Sequence, residues 1–390
     1  MRVLFLVRTL TAGGVETHIM TLGRGLMAQG CEFAIASDGG IDNHTHGIQW
    51  FEASGFRHYK IDFPRPADSW QIPLRSSKSL VDLEGAVRRF RPDLVHVHYR
   101  ATSSFAAAMQ LLHGVPFVST LHMTGIPSGA LHRMASFWGQ LVIAISAEVQ
   151  DYLKNAFRVD EARIRLVHNG ADEKFFRQPS LAEKLAARAQ LNLPVDAKVI
   201  AMVARMSREK GHDVLLDAMA KLHAEGQKVV ALLAGVSIEG DTSWRDEIQR
   251  RAERIGLSDY IRILGFTDAR TVLWASDASV LPSRQEGFPM AVVESMLCGL
   301  APIRTPAAGA RDQICDGEDG FIIPFDDSAM LSRKLSLVLN TELGSTMGSA
   351  AIQKARGCFS AGSMVTKTMS VYREALGLKG ASKKDSPLTN

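Results

Sequence analysis

The sequence predicts an α/β protein in which two doubly wound parallel-sheet units face each other across a cleft. Three observations predict it. Short apolar runs bounded by turn residues alternate with helix-length amphipathic segments along the chain, the pattern of parallel strands wrapped by helices. These runs fall into two sets of similar size. The chain has 390 residues, 46% hydrophobic and 22% charged, which is long enough for two separate cores.

Taken in order, strands are expected at 3–7, 33–37, 94–98, 117–122, 141–146 and 164–168, giving a first unit over 1–177. Residues 178–197, an Ala-rich stretch with Lys and Pro, read as a linker. The second unit, 198–358, carries expected strands at 199–204, 229–234, 261–265, 278–282, 301–304 and 321–324. An amphipathic helix is expected over 359–376, and 377–390 is small and polar, a frayed tail. Ligands of doubly wound sheets bind at the carboxyl ends of the strands. The cleft between the units is therefore the expected site.

Composition removes several classes. Net charge is +4, too small to imply nucleic-acid binding. The excess is local: residues 57–100 hold nine Lys/Arg against five acids, with Phe63, Trp70 and Phe90 among them. A solvated face is the default reading of that stretch. The alternative is peripheral contact with an anionic membrane, which attracts clustered Lys and Arg. The four cysteines, Cys31, Cys298, Cys315 and Cys358, have no paired spacing, which argues against zinc and against a disulfide framework and fits a reducing compartment. The N-terminus has an apolar core of only five residues, too short for a signal peptide, and no apolar run is long enough for a membrane span. A cytoplasmic protein is expected, with the inner face of the plasma membrane as the alternative setting.

The most informative segment runs Glu286-Gly287-Phe288-Pro289-Met290-Ala291-Val292-Val293-Glu294. Residues 290–298 read as a short apolar helix that stops before Gly299, with Pro289 suited to its first turn. Glu286 then lies in a loop facing a helix N-terminus, whose free N–H groups bind anions such as phosphate. Carboxylates flanking a phosphate site repel the phosphate itself, so they are expected to accept hydrogen bonds from hydroxyls at its two ends. A sugar nucleotide has that layout. Glu294 sits among Val292, Val293, Met296 and Leu297, where an unpaired carboxylate is costly.

Three further groups lie at strand exits. Gly13-Gly14 follows strand 3–7 and opens a helix, and a double glycine lets backbone approach a ligand. The fingerprint G-x-G-x-x-G is absent, so dinucleotide binding is not expected. Arg205 ends strand 199–204 and Lys210 precedes a helix, so both can converge on one anion. Fixed cations there would stabilise charge on a leaving diphosphate. His122 ends strand 117–122. His96 and His98 are read as pointing to opposite faces of their strand, which excludes a shared metal; His96 is assigned to packing and His98 to the cleft lining. No Asp-x-Asp triplet occurs, so no metal is expected on the diphosphate.

Together these segments resemble glycosyltransferase family 4, the retaining enzymes of GT-B fold, over most of the chain. The resemblance implies that the second unit binds a nucleoside-diphosphate sugar and the first an acceptor hydroxyl. It implies that Glu286 and the backbone of Gly287, Phe288 and Pro289 hold sugar and phosphate, that Glu294 holds the ribose, and that Arg205 and Lys210 hold the diphosphate. Gly13 and Gly14 would flank the donor phosphates, and His122 would touch the donor sugar. The helix 359–376 would cross back to the first unit. UDP-sugars are the commoner donors of the family and GDP-sugars the second. Hexose transfer in cell-surface polysaccharide or glycolipid biosynthesis is the implied role, without a cofactor or metal. A binder of sugar nucleotides without catalysis, or a hydrolase or epimerase acting on them, remains the alternative. Ala308-Gly309 stands where the family often has Gly-Gly followed by Glu, and Asp312 is given no ligand role.

Overall fold

The computed structural model describes residues 1–10, 13–39, 55–64, 72–194, 196–237 and 241–378. Among these, 13 strands form two all-parallel sheets. The first holds β1 (Arg2–Leu6), β2 (Glu32–Ser37), β3 (Arg57–Lys60), β4 (Leu94–Val97), β5 (Phe117–Leu121), β6 (Val142–Ala144) and β7 (Ile164–Leu166). Its order is β3-β2-β1-β4-β5-β6-β7. The second holds β8 (Lys198–Val203), β9 (Val229–Ala234), β10 (Ile261–Gly265), β11 (Ala278–Leu281), β12 (Pro302–Arg304) and β13 (Phe321–Ile322), in the order β10-β9-β8-β11-β12-β13. Strands such as Val3–Leu6 and Val229–Ala234 are buried on both faces and read as continuous apolar runs, as parallel strands covered by helices must. This is the GT-B architecture, two Rossmann-like domains.

Each sheet reverses direction once. In the first the reversal lies between β1 and β4, in the second between β8 and β11. Ligand crevices form at such points, outside the carboxyl ends of the strands. Gly13-Gly14 and His98 follow the first pair. Arg205-Lys210 and Glu286 follow the second.

Three features differ from the sequence expectation. Strand β3 falls in the basic stretch and is absent from the apolar pattern. Its residues Arg57, His58, Tyr59 and Lys60 suit a sheet edge, where charges discourage further pairing. The stretch 178–197 is no linker through its length: Leu181–Gln190 is a helix with a Ser180/Glu183 capping box. It docks on the second domain, with Arg188 bonded to the Ala275 carbonyl and to Asp277. The third is the pair His96 and His98, whose rings lie 4.1 Å apart. Residues two apart on a strand share a face, so the expectation of opposite faces is corrected.

Two seams join the domains. The helix Ala361–Ala375 packs Met364, Val365, Met369 and Tyr372 into the first domain's core beside Ile19, Leu22 and Leu26. Gly25 makes that approach possible, because a Cβ there would stand 2.2 Å from Val365 Cγ2. A second apolar cluster is shared across the cleft floor, with Leu121, Ile145 and Phe359 against Leu281, Phe288 and Met290. Among the described residues no helix is long and apolar enough to cross a membrane. Cys31 and Cys298 are buried, Cys315 and Cys358 exposed, and all four are free.

Candidate active site

The second-domain wall is assembled from two loops. After β8 the chain passes exposed Arg205, then a turn of 3-10 helix at Arg208–Lys210, then Gly211. Gly211 has φ +75°, and a Cβ would fall 2.1 Å from the Pro282 carbonyl oxygen. Only glycine therefore lets this loop lie against the exit of β11. Arg284, in that exit, staples the two together. Its backbone N–H donates to the Glu209 carbonyl at 2.7 Å, and its guanidinium donates to the Arg208 carbonyl, Asp213 and Asp326. Those carboxylates push its pKa up. The result is a short ion pair, Lys210 Nζ to Glu286 Oε1 at 2.7 Å, with side chains 18% and 8% exposed. Among the described residues Arg205 has no salt-bridge partner, and its charge reaches Tyr99 of the first domain.

The helix Met290–Leu297 begins just beyond Glu286. Pro289 occupies its N-cap position, one residue before the first helical turn, and no side chain caps the end. The first-turn N–H groups are thus free of protein caps. Glu294 lies inside this helix and is buried. Burial, and then the nearby Asp268 carboxylate, pushes its pKa up to about 7. The Phe288 side chain is buried between His168, stacked at 5.1 Å, and Phe359. Its backbone is what remains for a ligand.

Arg304, like His18 and Arg284, is absent from the sequence expectation. It ends β12 and is fully buried, whereas Arg205 lies two residues beyond β8. Its guanidinium donates to the carbonyls of Ala307 and Ala308 and to Gln313, bracing the loop that carries Gly309. Burial lowers its pKa to about 10, while the charges of Glu286 and Glu148 oppose that shift. An arginine closing an apolar strand was the available signal.

The first-domain wall is different in kind. Gly13 and Gly14 open the helix Gly14–Ala28, with Gly13 extended at φ 172° and nothing within 4 Å of a Cβ at Gly14. His18, one turn into that helix, meets His98 beyond β4 and His122 beyond β5. The His98 and His122 ring nitrogens approach to 3.1 Å, and the His18 ring centroid lies 5.6 and 5.1 Å from theirs. His96 sits behind them, bonded to Tyr372 Oη and Thr120 Oγ1, each at 2.7 Å. Desolvation lowers the pKa of all four, His18 to about 4, and their mutual repulsion adds to this at His96, His98 and His122. All four are neutral at pH 7.

The walls touch. A Cβ on Gly287 would stand 2.0 Å from the His122 carbonyl oxygen. Gly309 N–H donates to Glu148 at 3.0 Å, and Asp312 accepts from the Ala147 N–H at 2.8 Å while pairing with His168. Asp312 is therefore part of the domain contact. The structure joins Lys210 to Glu286, and Gly287 to His122, which in turn meets His98 and His18; Arg205 and Gly13-Gly14 lie in the segments that follow β8 and β1. Trp70 of the basic stretch lies outside the described residues.

Residues 12–175 match the family described as Glycosyltransferase Family 4, and residues 183–356 match Glycosyl transferases group 1. The chain is 24% identical over 389 residues to D-inositol 3-phosphate glycosyltransferase 1 of Catenulispora acidiphila, covering 94% of this chain and 91% of that one. It is 26% identical over 391 residues to glycogen synthase of Mycobacterium tuberculosis, covering 93% and 91%. A crystal structure of Anabaena HepE in complex with UDP and glucose superposes with a TM-score of 0.82 at 20% identity, covering 95% of this chain and 99% of that one.

Proposed function

This chain belongs to glycosyltransferase family 4, and we propose that it transfers a hexose from a nucleoside-diphosphate sugar to a hydroxyl acceptor with retention of configuration. The observation that carries this reading is the Lys210–Glu286 ion pair, on loops that lead to the uncapped helix Met290–Leu297. On this reading Arg205, Lys210 and the free N–H groups of that helix hold the diphosphate. Negative charge grows on that diphosphate as the sugar's C1–O bond breaks, and fixed charges aimed at it stabilise the transition state. The acceptor oxygen forms the new bond to C1 on the same face, and its proton passes to the departing phosphate oxygen. Glu286 is already paired with Lys210, which suits it to accept hydrogen bonds from sugar hydroxyls rather than to attack C1. Glu294 serves the ribose.

The donor we propose is a UDP-sugar, ahead of a GDP-sugar, supported by the UDP and glucose bound to the HepE neighbour. No metal is required at the diphosphate on this reading, and loss of turnover in chelator with rescue by magnesium would reject that part. Arg205→Ala, Lys210→Ala and Glu286→Ala should each lower kcat by about 10²–10³ with the fold intact. Near-normal turnover in all three rejects the site. A donor panel separates the other readings: nucleotide released without acceptor at a comparable rate means a hydrolase, and binding without product means a binder.

We also propose a setting in cell-surface glycan or glycolipid assembly, with peripheral contact through 57–100. Several cations there are already engaged, Lys78 with Asp82 and Arg88 with Glu84, and Arg57 lies over Phe90. Co-sedimentation with acidic liposomes that is lost in salt would support contact; none at low salt rejects it.

A further inference from the structure

We propose that His18, His98 and His122 form a binding site for a late first-row divalent metal such as Zn²⁺. One nitrogen from each of the three lies within 4.8 Å of the others. His18 is fixed by a helix, His98 by the end of β4 and His122 by the end of β5, so three separate elements aim imidazoles at one point. Hydrogen bonding within the protein leaves part of this cluster unmet. His98 Nδ1 and His122 Nε2 face each other at 3.1 Å, His98 Nε2 is buried without a partner, and His18, although beside Asn169, has neither ring nitrogen in good hydrogen-bond geometry. Buried polar atoms are nearly always partnered, and each exception needs an explanation.

The donor set selects the metal. Three neutral imidazoles with no carboxylate suit zinc, copper, nickel or iron and not magnesium or manganese, which prefer oxygen. His96 supports His98 from behind, its own two nitrogens held by Tyr372 and Thr120. His18 and His98 are buried and His122 is partly buried, so solvent reaches the cluster from the His122 side. Three protein ligands with one open position is the pattern of an accessible zinc site. The cluster lies on the first-domain wall, whose His122 backbone meets Gly287 of the second.

One consequence rests on the proposed role of His122. A ring bound to metal is not available to the donor sugar, so Zn²⁺ lowers transfer and a chelator raises it, opposite in sign to a metal-dependent transferase.

The test reads metal without turnover. Co²⁺ added to the purified full-length chain at pH 7.5 is expected to give a visible d–d absorption that saturates at one equivalent and is displaced by Zn²⁺. His18→Asn and His98→Asn are expected to weaken Zn²⁺ binding at least about tenfold, measured by competition with a chromogenic chelator. Where either variant fails to fold, X-ray absorption on the wild-type zinc complex counts the imidazoles directly, three being expected. No absorption band, unchanged affinity in both folded variants, or fewer than three imidazoles overturns the proposal. Because no donor is present, a failed metal test leaves the transferase reading standing, and a failed donor panel leaves the metal test readable.

Discussion

The two cleft walls occupy equivalent positions in two similar folds and carry opposite chemistry. Each lies where its sheet reverses, beyond the carboxyl ends of β1 and β4 or of β8 and β11. On the first wall these ends carry His98 with His18 and His122 beside it, neutral rings in a desolvated cluster. On the second they carry Arg205, Lys210 and Glu286, with Arg304 and Glu294 buried close by. The fold supplies the position and the residues just past each strand supply the chemistry. On the proposed reading the charged wall holds the charged half of the donor, and the neutral wall meets sugar and acceptor hydroxyls.

The largest expected effect breaks the meeting of the walls. Gly287→Ala places a methyl 2.0 Å from the His122 carbonyl oxygen and 3.2 Å from Met123 Cα, both backbone atoms that cannot step aside cheaply. The walls must separate by roughly an ångström, and a displacement of that size costs about 10²-fold in rate. Transfer is expected to fall by that factor, while circular dichroism and nucleotide affinity of the second domain stay near normal. Full activity would mean that the walls do not need this contact.

The next effect separates the walls by pH. His18 stays neutral in the fold down to about 4, whereas in the unfolded chain it protonates near 6.5. Its contribution is whole above 6.5 and is lost as pH falls toward 4, by about 1.4 kcal/mol per unit. His96, His98 and His122 act in the same direction. Glu294 runs the other way. Its folded pKa, about 7, is raised from 4.5, so its contribution is whole below 4.5 and lost as pH rises to about 7. Glu294→Gln should therefore gain stability over wild type between those values, reaching roughly 3 kcal/mol and then holding flat. Urea unfolding at several pH values measures it; a pH-independent difference would show that Glu294 is not buried as described. If Glu294 holds the ribose as proposed, UDP should bind more tightly as pH rises through 7, since a ribose hydroxyl donates better to the carboxylate than to the acid.

The charged wall was far more legible than the neutral one. Arg205, Lys210, Glu286 and Glu294 stand at strand ends or beside a helix start within short apolar runs, and charge in such places is conspicuous. The alternating runs also foretold every strand except β3, whose polar residues sit at an edge that needs no apolar face. The imidazole cluster was hidden for two reasons. His18, His98 and His122 are distant in sequence and meet only through sheet order, and His96 and His98 were given the wrong relative face. Arg304 was hidden inside a strand, and Arg284 because its partners Asp213 and Asp326 belong to other loops. The helix at 181–190 is legible in its Ser180-x-x-Glu183 cap, which outweighs a composition that suits a linker.

The smallest expected effect tests whether the two walls use their glycines alike. Gly211 and Gly287 are glycines because the protein's own backbone leaves no room. Gly14 is not: a Cβ there meets nothing within 4 Å, and it lies in the first turn of a helix. Alanine is favoured over glycine within a helix by about 0.5–1 kcal/mol, so Gly14→Ala should leave the protein as stable or slightly more so. If the vacant space belongs to the donor phosphates, the same change raises KM for the sugar nucleotide severalfold. Thermal melts and steady-state kinetics on one variant give both numbers. A gain in stability with unchanged KM would remove Gly14 from the site and leave the donor to the second wall alone.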